Sequence, residues 1–102
     1  MFNGSALTNA LHVVMGLQIG QGDFTRTIGE TVAMSGGNDC TGATAGSILG
    51  AVLGLEGIPE HWLRPFHGRM HLYLQGVPEF LSLEDVCARF ERLASRLTAQ
   101  CP

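Results

Sequence analysis

Hydrophobic and polar positions repeat at helical spacing along most of this chain. From Ser5 to Leu17 the residues Ser5, Thr8, Asn9, His12 and Gly16 fall three or four apart and draw one narrow polar stripe. The rest of that helix is apolar, which predicts a segment largely buried or packed at an interface. Gly20 to Asp23, "GQGD", reads as a turn in which glycine supplies positive φ. Asp23 is placed to N-cap a second helix, Phe24 to about Met34. Phe24, Ile28 and Val32 recur at every fourth position and define its expected buried face. "SGGND" breaks the chain again, and a third helix is expected from about Cys40 to Leu55.

Beyond it, "EGIPEHW" is a turn into a short helix, with Pro59 suited to a first helical position because its missing N–H costs nothing there. Pro65 and Gly68 interrupt that helix. Arg69 to Gly76 fits either a helical turn or a short strand, and the helical reading is preferred. The last helix is the clearest. Ser82 and Asp85 form a capping-box variant, and Val86, Cys87, Phe90, Leu93, Ala94 and Leu97 make one apolar face. Glu84 and Asp85 sit early and Arg92 and Arg96 late, as the helix dipole favours. The expectation is an all-α fold of about four to five helices in one small domain spanning residues 1–102.

The third helix carries the most unusual pattern. Gly42, Gly46, Gly50 and Gly54 stand at four-residue steps, and Ala43, Ser47 and Ala51 widen the bare strip. An interior helical glycine costs up to ~1 kcal/mol relative to alanine, so the ladder needs a return. Close approach of a neighbouring helix is the ordinary one. In the preceding loop, Gly36 and Gly37 can take conformations closed to other residues. Asn38 or Asp39 can cap the helix by accepting backbone N–H bonds. The same helix start can instead present N–H groups to a phosphate, and Asp39 can offer a carboxylate oxygen to Mg²⁺.

Composition narrows the classes. With 45% hydrophobic and 15% charged residues in 102, the chain is not disordered. A net charge of -3 without any basic stripe argues against nucleic acid as a partner. Cys40, Cys87 and Cys101 form no CxxC pair and no zinc pattern. Residues 1–22 lack Lys, Arg, Asp and Glu, so no positive region of a secretory signal precedes their apolar run. The uncharged run 40–55 is shorter than the ~20 residues of a membrane span. A cytoplasmic protein with reduced thiols and no membrane role is expected. Low charge and wide apolar helix faces favour a homo-oligomer, since a chain this short buries a limited share of its surface.

The stretch from Thr8 to Trp62 also resembles a known family. "TNALH", then "GQGDFTRTI", then "DCTGATAGSILGA" and "GIPEHW" follow, in unbroken order, the C-terminal third of the ADP-ribosylglycohydrolase family, with a looser likeness through "RPFHGRMHLYLQG" to about Gly76. The resemblance implies an all-α fold and a Mg²⁺-dependent release of ADP-ribose from modified side chains or related compounds. It also implies two sets of metal ligands, a Thr-Asp-Asp type motif and an Asp-x-Asp-Thr type motif. Only the second has a counterpart here, as Gly37-Asn38-Asp39-Cys40. Asp39 matches the second aspartate, Gly37 replaces the first, and Cys40 stands where threonine is common. Asp39 is therefore the expected metal residue, and Gly36, Gly37, Asn38 and Thr41 the expected phosphate or ADP-ribose contacts. No catalytic residue is assigned. A two-metal site needs several shared carboxylates, so autonomous hydrolysis is not expected. The alternatives are a helical self-association module and one half of a split hydrolase completed by another polypeptide.

Two other candidates carry less. Cys40 at a helix start is placed to be a reactive thiol, but the sequence offers it no oriented base. His61, His67 and His71 have no acidic or cysteine ligand at metal-site spacing and read as packed or solvated. Trp62 and Phe66 read as a core plug after the third helix.

Overall fold

A computed structural model describes residues 5–34, 36 and 38–101. The described elements are helices α1 (Ala6–Gly20), α2 (Phe24–Met34), α3 (Asn38–Gly57), α4 (Glu60–Leu63) and α5 (Leu83–Gln100), a 3-10 turn (Arg64–Phe66), and strands β1 (Arg69–His71) and β2 (Phe80–Ser82). The fold is all-α in character with one small hairpin. It divides into two units, one ending at Glu60 and the other beginning at His61.

In the first unit, α1, α2 and α3 each pack on the other two. The turn between α1 and α2 forms where the sequence predicts it, but Gly20 still belongs to α1 and glycine alone does not supply the positive φ. Gln21 and Gly22 take positive φ of 48° and 86°. Asp23 caps α2 by accepting the Arg26 N–H at 2.7 Å.

The burial of α1 is the reverse of an ordinary amphipathic helix. Its buried residues are His12, Val13, Gly16 and Gly20, so the polar stripe turns inward. Leu7, Leu11 and Val14 remain more than half exposed. The reason is steric: Gly16 and Gly20 let α2 approach until Thr31 and Thr27 lie directly against the α1 backbone.

The expected inner face of α2 is corrected in the same way. Thr27 and Thr31 are its fully buried residues, whereas Phe24, Ile28 and Val32 are half-buried on the neighbouring stripe. These three rest on the glycine ladder of α3. A Cβ at Gly42 would stand 3.1 Å from Val32 Cγ2, and one at Gly46 would stand 3.2 Å from Ile28 Cδ1. The ladder thus does what its cost requires, admitting a neighbouring helix. At Gly54 the helix breaks, with φ 71°. Ile58 folds back toward Gly50. Buried apolar side chains among the described residues are Val13, Ala45 and Leu49, accompanied by the polar His12, Thr27, Thr31 and Thr41.

Pro59, at the end of the first unit, immediately precedes α4 rather than opening it. Phe66 is 59% exposed and plugs no core; Trp62 is half-buried. The helical reading of Arg69 to Gly76 is overturned. Arg69–His71 pairs antiparallel with Phe80–Ser82, in the register Met70 opposite Leu81. Cross-strand stacking favours the strand: His71 lies parallel to Phe80 at 4.7 Å, and the Arg69 guanidinium sits 4.6 Å above the same ring. Gly76, with φ 80°, lies between the two strands.

Helix α5 starts as predicted, with Ser82 Oγ accepting the Asp85 N–H at 3.3 Å. The Asp85 carboxylate pairs with Arg89 one turn on, at 3.1 Å. The predicted apolar face of α5 stays open, with Phe90 and Leu97 more than half exposed.

Candidate functional site at the start of helix α3

The site residues expected from sequence gather at the first turn of α3, but they do not all face one way. Asn38 and Asp39 are the first two residues of the helix, and both are exposed. Ser35 and Gly37 before them lie outside the described residues. Gly36 is exposed. Asp39 therefore sits within the positive end of the helix dipole rather than at the cap. Thr41 is buried, at 1% exposure.

Thr41 and Cys40 line a cleft of about 420 Å³ between α1 and α3. Its walls are Ala6, Ala10, Val13 and Val14 from α1 and Ile48 from α3, with Asn9 and Thr44 adding polar atoms. Thr44 Oγ1 donates to Cys40 O at 2.9 Å, which holds that side chain against its own helix. The cleft is thus apolar along most of its length and polar at the end nearest the α3 N-terminus. Asp39, Asn38 and Gly36 do not line it.

Among the described residues, two polar atoms in the same helical unit are buried without a hydrogen-bond partner: His12 Nδ1 and Thr27 Oγ1. Burial without a partner is uncommon and costs of order 1–3 kcal/mol per group. The sequence marked His12 only as part of a polar stripe. Neither it nor Asn9 stood out as a site residue, because nothing local says which side of α1 meets α3.

The donor set decides what this arrangement can hold. Among the described residues no three His, Cys, Asp or Glu side chains gather within metal-binding reach. Asp39 contributes a single carboxylate, which does not fit a two-metal clamp. His61, His67 and His71 form no such group either, although His67 and His71 line one cavity. His61 packs on Trp62, and His71 Nε2 meets Glu79 Oε1 at 3.1 Å. Among the described residues, no single helix is long and apolar enough to cross a membrane.

The pattern that surrounds this site extends over the whole chain. The model of the ADP-ribosylglycohydrolase family matches residues 2–101. The chain belongs to the ADP-ribosylglycohydrolase family. No curated protein and no solved structure matches it. The family match runs past Gly76, where the resemblance read from motifs fades, and takes in β2 and α5. Those elements carry no short motif, so periodicity alone gave them no family signal.

Proposed function

We propose that this ADP-ribosylglycohydrolase-family chain does not hydrolyse ADP-ribosyl bonds by itself and keeps an ADP-ribose or phosphate pocket at the first turn of α3. The observation that carries the reading is Asp39, an exposed carboxylate on a helix start that belongs to no group of three His, Cys, Asp or Glu side chains among the described residues. Backbone N–H groups of a first helical turn suit a diphosphate, and the dipole adds to the attraction. Gly36, Gly37, Asn38 and Thr41 are the proposed ligand contacts. Mg²⁺ accepts one carboxylate together with ligand phosphates, so Asp39 serves as its protein ligand in this proposal.

The test is calorimetric titration of the chain with ADP-ribose, with and without Mg²⁺. Expected is saturable binding that strengthens with Mg²⁺ and is lost in Asp39→Ala, whose helicity is checked by circular dichroism. Absence of binding in both conditions overturns the pocket. Hydrolysis of an ADP-ribosylated substrate by the chain alone, abolished in Asp39→Ala, overturns the non-hydrolytic part. Hydrolysis appearing only when a second polypeptide with a Thr-Asp-Asp motif is added supports the split-enzyme reading instead.

A further inference from the structure

Within the first unit, helices α1 and α3 expose an apolar surface that the unit's own helices leave uncovered. Leu7, Leu11 and Val14, at i, i+4 and i+7 on α1, are 81%, 56% and 61% exposed. Ile48 and Val52, one turn apart on α3, are 44% and 75% exposed. Val14 and Ile48 line the same cleft, so the two stripes are continuous across it.

We propose that this α1/α3 face pairs with the same face of a second copy, forming a closed two-fold dimer. Three features select that occupant. First, the face carries no ionised group. Residues 6–20 and 40–53 contain no Asp, Glu, Lys or Arg, so a self-apposed contact brings no like charges together and a charged partner finds no complement. Second, the face holds both halves of a fit, a ridge at Leu7, Leu11 and Val14 beside a cleft of about 420 Å³. The two-fold operation places each ridge against the other copy's cleft.

Third, the area suffices. Burying one aliphatic side chain removes roughly 100 Å² of apolar surface. The five side chains at their observed exposures, with the cleft alanines, then give roughly 400 Å² per copy. Homodimer interfaces are about 65% apolar, so two such faces correspond to a contact of roughly 1,200 Å² in total. That is the lower bound for a specific stable pair and below the areas usual for obligate dimers. The inference stands on α1 and α3 and does not rest on ADP-ribose binding, although Thr41, a proposed ligand contact, lines the same cleft.

Light scattering of the full chain across the micromolar range tests it. Expected is a rise from 10.9 kDa toward twice that value. Leu11→Glu and Val52→Glu, at exposed positions, are expected to hold the mass at one chain with unchanged helicity. A wild-type chain that stays monomeric overturns the proposal. So does growth beyond two copies, or a dimer that survives both substitutions and is lost instead in Phe90→Glu on α5. Should a variant lose helicity, hydrogen exchange of the wild type decides: amides of α1 and α3 are expected to slow as concentration rises, and rates independent of concentration overturn the dimer.

Discussion

A Cβ placed on Gly20 would lie 2.7 Å from Thr27 Cα, and one on Gly16 would lie 2.9 Å from Thr31 Cβ. Neither obstacle is the far end of a flexible side chain, so relief requires α1 and α2 to move apart. Gly20→Ala gains up to ~1 kcal/mol of helix propensity. It loses more by overpacking, which typically costs about 1–3 kcal/mol and rises when backbone is the obstacle. A net loss of stability in urea unfolding is expected. Gly29, in the exposed part of α2, meets nothing within 4 Å of a built Cβ. Gly29→Ala is therefore expected to stabilise by up to ~1 kcal/mol, raising the melting temperature by several degrees. Equal effects of the two substitutions count against the packing described here. Sequence spacing placed Gly16 on a polar stripe and stopped there, because a contact between Gly20 and Thr27 depends on how two helices cross.

Individual elements were legible where their determinants are local. The Asp23 cap, the positive-φ turn after α1 and the Ser82 start of α5 each depend on a few adjacent residues, and each appears in the structure. Ser82→Ala is expected to cost about 1 kcal/mol of α5 stability, as for other N-cap losses. Faster hydrogen exchange in the first turn of α5, with α1 to α3 unchanged, is the measurement. The hairpin was misread because its strands are three residues each and its pairing joins Arg69–His71 to Phe80–Ser82 across a long connection. Over so short a run, helical and strand periods cannot be told apart. At the candidate site the start of α3 was found from its glycines and Asp39, but the α1 wall of the cleft was not.

At the scale of the whole chain, apolar content and its placement set different things. The sequence has 45% hydrophobic residues, yet the first unit buries mostly small and polar side chains and leaves large apolar ones outside. The proposed interface between copies would cover part of that surface. Association stabilises the folded state by mass action, so the melting temperature is expected to rise with protein concentration and to become concentration-independent in Leu11→Glu. A constant melting temperature in the wild type speaks against the dimer.

The sequence by itself determined the helices of the first unit, the ends that side chains or glycines cap, the family and the single acidic residue of its motif. These are properties of neighbouring residues or of a linear pattern. Only the tertiary structure decided which face of α1 is inside, that Thr27 and Thr31 rather than Phe24, Ile28 and Val32 meet α1, and that Thr41 shares a cleft with Asn9. The physical reason is close packing. Glycines draw helices together until the smallest side chains occupy the contact, and the larger apolar ones are turned outward by the same approach.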